Sequence, residues 1–308
     1  MAKEFRQFEW DPQVEEDCRQ IVRLAVREDL DRLFDWTTVC LVPPHATARA
    51  VVVARQAGVV AGLRAAALAL TEMDVQLEWT PAVDDGARIV AGQTLSTIAG
   101  PARSLLTAER ILLNLIGRLS GIATLTQQYV QAVAGTRARI YDTRKTTPGW
   151  RRLEKYAVHC GGGHNHRTGL FDAILIKDNH LALGAAGIAA DHLSPAEAVR
   201  RARDFAQSMN AGPNPTDIIV EVEVDTLEQL AEVLPAAPDI VLLDNMSPDD
   251  LRRAVALRDA VAGGIELEAS GGVNLQTVAT IASTGVDRIS VGALTHSAIA
   301  LDVALDWR

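Results

Sequence analysis

The sequence is poor in cysteine and in long apolar runs, and each shortage excludes a class of protein. Its three cysteines are scattered and odd in number, which argues against a disulfide framework and indicates a reducing compartment. No apolar stretch is long enough to cross a bilayer. The mixed, charged start MAKEFRQFEWDPQVEED has no apolar segment typical of a secretory signal. We therefore expect a cytoplasmic protein that does not associate with membranes.

Positive charge is also scarce, since 30 Lys and Arg residues face 39 Asp and Glu residues, giving a net charge of −9. A nucleic-acid-binding protein normally carries a basic excess, so we expect no nucleic-acid partner. The cations present are concentrated in one segment, which has only Asp142, Glu154 and Asp172 as acids. These cations are Arg137, Arg139, Arg144, Lys145, Arg151, Arg152, Lys155, Arg167 and Lys177. Such a segment in an acidic protein is typical of a site for a small anion.

Two patterns of periodicity divide the chain, and the first extends to about residue 124. Helical spacing predicts a helix over 12–33, and a β-branched run over Ala48–Ala54 precedes a second helix from about Leu63. Short β-branched runs separated by turn signals follow, and a long helix is expected to be capped by Thr107 and to end near Gly135. We predict an α+β sandwich domain over 1–124 with a mostly antiparallel sheet.

After Gly135, short apolar runs alternate with helical stretches, which predicts a parallel sheet with crossover helices over 125–296. The runs are ARIYDTRK, AILIKDNH, DIIVEVEV, DIVLLDNM, IELEASGG and RISVGAL. This number of units favours an open (β/α) barrel. The alternative is a doubly wound sheet, which would usually carry a glycine-rich fingerprint after its first strand, and none is present.

The functional residues of a parallel barrel lie at the carboxyl ends of the strands. In this sequence the type of residue at those ends changes along the chain. Early strands end in cations, middle strands in carboxylates and late strands in glycines. In chain order the ends carry Asp142-Thr143-Arg144-Lys145, Lys177-Asp178-Asn179-His180, Glu221 and Glu223, Asp244-Asn245, Glu268 with Ser270-Gly271-Gly272, and Gly292. The glycines favour close approach of phosphate, with a simple tight turn as the alternative. Glu223 and Asp244 are candidates to hold Mg²⁺ or sugar hydroxyls, or simply to pair with scaffold cations.

The stretch GGGHNHRTG at 161–169 admits two interpretations. Zinc would require His164 and His166 to act with His159 or Cys160, but Arg167 raises the local positive potential. An anion site uses all the parts, namely glycines, amide, imidazole and guanidinium. Lys177 likewise admits a Schiff-base role, although the neighbouring cations favour a charged lysine that contacts an anion.

Several of these stretches, taken together, resemble the quinolinate phosphoribosyltransferase family. They are TAERILLNLIGRLSGIAT, DTRKTTPGWRRLEKYAVHCGGGHNHRTGLFDAILIKDNH, EVEV, LLDNM, ASGGVN and ISVGALTHS, in family order over residues 107 to 297. The resemblance implies an α/β sandwich followed by an open α/β barrel, with the tail 297–308 packing back on the first domain. It also implies a reaction in which quinolinate and 5-phosphoribosyl-1-pyrophosphate give nicotinate mononucleotide, pyrophosphate and CO₂, with Mg²⁺ required.

The resemblance further implies a homodimer in which Arg110 of one subunit completes the pocket of the other, and it leaves higher assembly open. The catalytic residues it implies are Lys145, Lys177, Glu223 and Asp244, with Glu223 and Asp244 near Mg²⁺. The substrate-binding residues it implies are Arg110, Thr143, Arg144, Lys145, His166, Arg167, Lys177, Glu223, Asp244, Ser270, Gly271, Gly272 and Gly292. Alternatives are a phosphoribosyltransferase for nicotinate or another pyridine acid, a Schiff-base lyase built on Lys177, and a non-catalytic anion-binding protein.

Overall fold

A computed structural model describes residues 3–184, 193–208, 218–261 and 264–308. Contacts divide the chain into two units, which we call the sandwich unit and the barrel unit. The sandwich unit comprises Gln7–Gln128, Lys145–Gly163 and Ala293–Arg308; the barrel unit comprises Tyr129–Arg144, His164–Gly292 and the N-terminal segment up to Arg6. This division differs from the predicted boundaries, because 3–6 join the barrel unit and 145–163 join the sandwich unit.

The sandwich unit is built on a four-stranded antiparallel sheet with the order β12-β1-β5-β3, accompanied by a two-stranded β2-β4 pair. Its strands are β1 (Thr47–Ala54), β2 (Gly58–Val59), β3 (Glu78–Pro81), β4 (Arg88–Ile89), β5 (Thr94–Pro101) and β12 (Val303–Trp307). Its helices are α1 (Pro12–Leu30), α2 (Trp36–Leu41), α3 (Leu63–Glu72), α4 (Ala102–Ala132, whose last turn lies in the barrel unit), α5 (Arg151–Cys160) and α11 (Ala293–His296). The predicted antiparallel sheet is confirmed, and the last strand of the chain pairs with β1.

Two helix boundaries predicted from the sequence are wrong. Helix α1 ends at Leu30 rather than near residue 33, because Asp31 adopts a positive φ of 48° and leaves the helical region. Helix α4 begins at Ala102, and the Thr107 hydroxyl donates to the Arg103 carbonyl inside the helix instead of capping it. The residues just before Thr107 are good helix formers, so the helix propagates back through them.

The barrel unit contains a six-stranded sheet in the order β6-β11-β10-β9-β8-β7. Its strands are β6 (Arg139–Tyr141), β7 (Ala173–Ile176), β8 (Ile219–Val224), β9 (Ile240–Asp244), β10 (Glu266–Ser270) and β11 (Arg288–Ser290), and every pair is parallel. Its helices are α6 (Asp178–Gly184), α7 (Pro195–Ser208), α8 (Leu227–Val233), α9 (Pro248–Val261) and α10 (Val278–Ala282). The order is cyclic with its opening between β6 and β7, so the predicted open barrel is confirmed and the doubly wound alternative is wrong.

The core of the barrel unit is filled from the N-terminal segment as well as from the strands. Phe5 is buried in a cluster with Tyr141, Ala173, Ile219 and Ile240, which come from β6, β7, the start of β8 and the start of β9. The cluster therefore brings both edge strands of the open barrel around one aromatic ring. No helix in the described part of the chain is long and apolar enough to span a bilayer.

Candidate active site

The barrel unit gathers most of the predicted site residues at one end of its sheet. Because its strands are parallel, their carboxyl ends share one edge, and Asp244 is in register with Ser270 on the neighbouring strand. Glu223 is in register with Leu242, two residues before Asp244. The predicted residues in this unit are Thr143, Arg144, His166, Arg167, Lys177, Glu223, Asp244, Ser270, Gly271, Gly272 and Gly292. Arg110 and Lys145 belong to the sandwich unit.

Asp142, at the end of β6, organises the segment that carries His166 and Arg167. Its buried carboxylate accepts from the Asn165 side-chain amide at 2.8 Å and from the His166 backbone amide at 2.8 Å. His164 pairs with Tyr141 in a parallel bridge, so the segment runs alongside the edge strand β6. The sequence placed Asp142 at a strand end but did not identify this organising role, because the bonds join residues more than 20 positions apart.

Arg167 is a buried cation beside a second cation. Its residue is only 7% exposed, its Nη1 lies 3.4 Å from the Ala173 carbonyl, and no carboxylate of the described residues lies within ion-pair distance of it. Burial lowers the pKa of Arg167, and the charge of Arg144 lowers it further, while Glu221 and Asp172 oppose the change. Two adjacent guanidinium groups in such surroundings favour an anionic ligand, which would relieve their repulsion.

The carboxylates at the ends of β8 and β9 each have one nearby donor. Lys177 forms an ion pair with Glu223 through Oε2, and the Asn245 side-chain amide donates to Asp244 Oδ2 at 2.7 Å. Glu223 Oε1 and Asp244 Oδ1 accept no hydrogen bond from the described residues. The Lys177 amino group is held against the Glu223 carboxylate, and this contact speaks against the Schiff-base alternative.

The glycines that end β10 are required by the backbone. Gly271 has a φ of 90°, and a Cβ there would collide with the Asn245 side chain. Gly272 has a φ of 60°, but a Cβ there would meet no described atom within 4 Å. The turn therefore accounts for both glycines, while the open space at Gly272 is compatible with the predicted approach of phosphate.

The three glycines at 161–163 have a packing role in the sandwich unit. A Cβ at Gly161 would collide with the Ala123 carbonyl of α4, and one at Gly163 would lie 2.6 Å from Thr126 Cγ2. Gly162 turns the chain with a φ of 83°. Close packing and a turn thus explain the run of glycines, which the anion-site hypothesis had assigned to ligand binding.

One group of potential metal ligands occurs in the described residues, and it differs from the zinc set considered from the sequence. His166, Glu221 and Glu268 are all buried and present ligand atoms within 4.8 Å of one another. His166 Nε2 lies 3.1 Å from Glu221 Oε2 and 3.5 Å from Glu268 Oε1. Burial raises the pKa of the Glu268 carboxyl to about 7, and the charge of Glu221 adds to that rise. His159 and Cys160 lie in the sandwich unit, outside this group.

Arg110 and Lys145 have different surroundings in the sandwich unit. Arg110 is exposed on α4 and lines a cavity of about 540 Å³ with Arg118, Trp150 and the segment 300–303. Lys145 is exposed, and its carbonyl accepts from the Thr295 hydroxyl at 2.8 Å. Both side chains are therefore accessible to a ligand within their own unit.

Fold and site together define a two-unit protein with an open parallel barrel and a buried cation beside a second cation, and sequence comparison identifies its family. A profile described as "Quinolinate phosphoribosyl transferase, C-terminal domain" matches residues 122–306, and the profile of the N-terminal domain of the same family matches residues 35–120. The chain belongs to the quinolinate phosphoribosyltransferase family.

Individual relatives agree with this assignment over nearly the whole chain. A nicotinate-nucleotide pyrophosphorylase (carboxylating) of Mycobacterium leprae is 46% identical over 293 residues, covering 94% of this chain and 96% of the relative. A probable enzyme of the same name from Bacillus subtilis is 42% identical, covering 83% of this chain and 82% of its own. The solved structure of the nicotinate-nucleotide pyrophosphorylase from Francisella tularensis matches with a TM-score of 0.87 and 34% identity, covering 99% and 100% of the two chains.

Proposed function

We propose that this protein transfers the phosphoribosyl group of 5-phosphoribosyl-1-pyrophosphate to quinolinate and releases CO₂. The products are nicotinate mononucleotide and pyrophosphate, so the reaction serves the synthesis of NAD. The observation that carries the proposal is the buried Arg167, which has no ion pair among the described residues and lies beside Arg144 in a chain of this family.

The charge of the site matches the substrates. Quinolinate has two carboxylates and the donor has several phosphate groups, and planar guanidinium groups bind both bidentately. Arg144 and Lys177 follow the carboxyl ends of β6 and β7, and Arg167 lies near enough to Arg144 for their charges to repel. Substrate anions binding there would offset the repulsion between the two guanidinium groups, so binding energy favours a dianionic acceptor over a monoanionic one.

In the transfer step the pyridine nitrogen attacks the anomeric carbon of ribose as pyrophosphate departs. Positive charge develops on the sugar, and the carboxylates of Glu223 and Asp244 would stabilise that charge or hold the ribose hydroxyls. Gly271, Gly272 and Gly292 would approach phosphate with their backbone amides. The protein contributes mainly by positioning and fixed charge.

The residues present fit a magnesium ion that is shared with the donor. Mg²⁺ commonly binds one or two protein carboxylates and completes its shell with phosphate oxygens and water. Glu223 and Asp244 each retain one oxygen that accepts no hydrogen bond from the described residues. These two residues would hold the ion, which would neutralise charge on the pyrophosphate leaving group.

Loss of CO₂ follows from the chemistry of the transferred ring. Once its nitrogen carries ribose, the ring withdraws electrons from the adjacent carbon, so the carboxylate on that carbon leaves as CO₂. The electron pair of the broken bond stays on the ring carbon, which takes up a proton from water. The second carboxylate remains, and Arg144 and Arg167 are the candidates to hold it in place. A protein specific for nicotinate would release no CO₂.

The deciding assay compares quinolinate and nicotinate, each labelled in its carboxyl groups, in the presence of donor and Mg²⁺. We expect labelled CO₂ and nicotinate mononucleotide from quinolinate and no product from nicotinate. Product from nicotinate alone would contradict the proposal. Borohydride trapping with carbonyl compounds should leave the protein mass unchanged, since the Lys177 amino group is held against the Glu223 carboxylate.

We also propose that the active form is a cytoplasmic homodimer in which Arg110 of each subunit serves the pocket of the other. The three cysteines, all present as thiols, support a reducing compartment.

Inactive Arg110→Ala and Lys177→Ala proteins should regain activity when mixed, because one pocket of the mixed dimer keeps both residues. Absence of recovery after verified subunit exchange would contradict the shared site.

A further inference from the structure

Asn245, which follows Asp244 at the end of β9, has an unusual backbone conformation. Its φ of 54° lies in the left-handed region, where Asn and Asp are the most common residues after glycine. Its backbone amide donates to the Ser270 carbonyl of β10 at 2.9 Å, one position beyond the register pair of Asp244 and Ser270. Asn245 is therefore fixed to the neighbouring strand at the point where the chain leaves β9.

The Asn245 side chain bonds to the carboxylate of Asp244 in one orientation. Its amide nitrogen Nδ2 lies 2.7 Å from Asp244 Oδ2. An ionised carboxylate only accepts hydrogen bonds, so the atom that faces it must be the nitrogen, and the amide oxygen of Asn245 must face away. Asp244 Oδ2 is thereby occupied, whereas Asp244 Oδ1 accepts no hydrogen bond from the described residues. The carboxylate thus has one bonded oxygen and one oxygen available to a ligand.

The other side of the Asn245 amide lies against the turn that follows β10. A Cβ on Gly271 would lie 2.1 Å from the amide oxygen of Asn245 and 2.6 Å from its Cγ. The amide therefore fills the space that a side chain at position 271 would need, and this contact limits its rotation on that side. Through one side chain, the packing joins the carboxylate that ends β9 to the glycine turn that ends β10.

We propose that Asn245 is a positioning residue that holds Asp244 Oδ2, so that Asp244 offers the single oxygen Oδ1 to the phosphoribosyl donor and its metal ion. Mg²⁺ requires near-octahedral geometry, which one oxygen from a carboxylate suits, whereas Ca²⁺ readily takes both oxygens of the same carboxylate. By occupying Oδ2, Asn245 therefore also favours Mg²⁺ over Ca²⁺. This inference rests on the proposed function for the identity of the donor.

The contact itself is tested by NMR of ligand-free protein labelled with ¹⁵N-asparagine, in which the Asn245 side-chain signals are assigned by their loss in Asn245→Gly. We expect one of the two Nδ2 protons to be shifted downfield by the Asp244 carboxylate and to lose that shift in Asp244→Ala. Asn245 amide signals that stay unchanged in Asp244→Ala would overturn the proposal. This result does not depend on the identity of the substrate, whereas the labelled CO₂ assay tests the proposed function alone.

Binding of the donor separates positioning from general support of the fold. Calorimetry with 5-phosphoribosyl-1-pyrophosphate and Mg²⁺, without quinolinate, compares the wild type, Asn245→Gly, Asp244→Ala and the double variant. Glycine tolerates the left-handed backbone, so Asn245→Gly removes only the side chain. We expect it to weaken binding about three- to tenfold, as for one ordinary hydrogen bond, and to add nothing in the Asp244→Ala background.

The outcomes of this comparison are distinct. Equal losses from Asn245→Gly in both backgrounds would contradict positioning through Asp244, because the two side chains would then act independently. A wild type that does not bind the donor at all would contradict the proposed function and the ligand assigned to Asp244, while the contact seen by NMR would stand.

The choice between metal ions gives a readout that a merely structural role would not change. The same titrations in Ca²⁺ should show a smaller loss in Asn245→Gly than those in Mg²⁺, because the released Oδ2 lets Ca²⁺ take both oxygens of Asp244. Ala237→Gly is the control, since Ala237 also has a positive φ, of 51°, but precedes β9 at its amino end. An unchanged ratio of the two affinities in Asn245→Gly, or an equal change in the control, would overturn the proposed role.

Discussion

Two buried arginines of the barrel unit have pKa values shifted in opposite directions. At the amino end, Arg288 is fully buried and pairs with both Glu4 and Glu266. Burial alone would lower the pKa of Arg288, but the neighbouring anionic groups outweigh burial and raise it. At the carboxyl end, burial and Arg144 together lower the pKa of Arg167. Arg288 is thus paired within the protein, whereas Arg167 forms no ion pair with the described residues, so we expect a bound anion to stabilise its charge.

Arg139 and Arg288 with Glu4 and Glu266 form the amino-end cluster, which also anchors the N-terminal segment. Glu4 accepts from Arg139 at 2.6 Å and from the Tyr141 hydroxyl at 2.7 Å, and Arg288 donates to the Lys3 carbonyl at 2.9 Å. These contacts hold the neighbouring Phe5 in the core and against His166. The amino end of the barrel unit is therefore linked through Phe5 to the His166 ring.

The largest effect on stability is expected from Arg288→Met at the amino end. Removing this guanidinium leaves two carboxylates without a fully buried partner, so the free energy of unfolding should fall by about 3–5 kcal/mol. Urea denaturation of the variant and the wild type measures this loss. A loss below about 1 kcal/mol would show that the cluster contributes no more than an exposed pair.

At the carboxyl end, Arg167→Ala should act on catalysis rather than on folding. Truncating a buried charge that binds a charged partner costs roughly 2–5 kcal/mol, and here that loss should appear in kcat/KM for quinolinate. Arg144→Ala should show a loss in the same range. Steady-state kinetics measures both, and near-normal turnover in the two variants would contradict the assignment of the anion site.

The buried Glu268 carboxyl should make stability depend on pH. Its pKa in the folded protein is raised to about 7, so the folded state binds a proton more tightly than the unfolded state does. Stability from this group is complete below its ordinary pKa and is lost as the pH rises through about 7. Between about pH 4.5 and pH 7.5 the wild type should lose up to about 3 kcal/mol relative to Glu268→Gln, measured by urea denaturation. If the stability of the two proteins changed with pH in the same way, this prediction would be wrong.

The smallest effect is expected from Arg139→Gln, which sharpens the contrast within the amino-end cluster. Arg139 forms ion pairs with Glu4 and Glu266, but its side chain is 35% exposed. Solvent screens such a pair, so the free energy of unfolding should change by about 1 kcal/mol or less. Thermal denaturation of Arg139→Gln and Arg288→Met compares the exposed and the buried arginine directly. Equal losses of stability in the two variants would show that burial does not distinguish the contributions of the two arginines.

Local patterns predicted the elements of the barrel but not the partners of its side chains. Six apolar runs separated by helical stretches correspond to β6 through β11, because burial on both faces requires continuous apolar strands. The sequence pattern assigned Glu221 and Glu223 to the end of one strand and indicated Glu223, not Glu221, as a candidate to hold Mg²⁺ or sugar hydroxyls. The structure places Glu221 against His166, a contact between elements that no local pattern encodes.

The sequence by itself determined where strands and helices form, the alternation that makes the sheet parallel, and the concentration of cations between Arg137 and Lys177. These follow from side-chain periodicity and charge, which act over a few residues. Only the tertiary structure decided which of those cations are neutralised, because Glu4 reaches Arg139 across 135 positions of the chain. It also decided that the glycines at 161–163 serve packing and that Phe5 closes the barrel core, since both depend on segments brought together only when the chain folds.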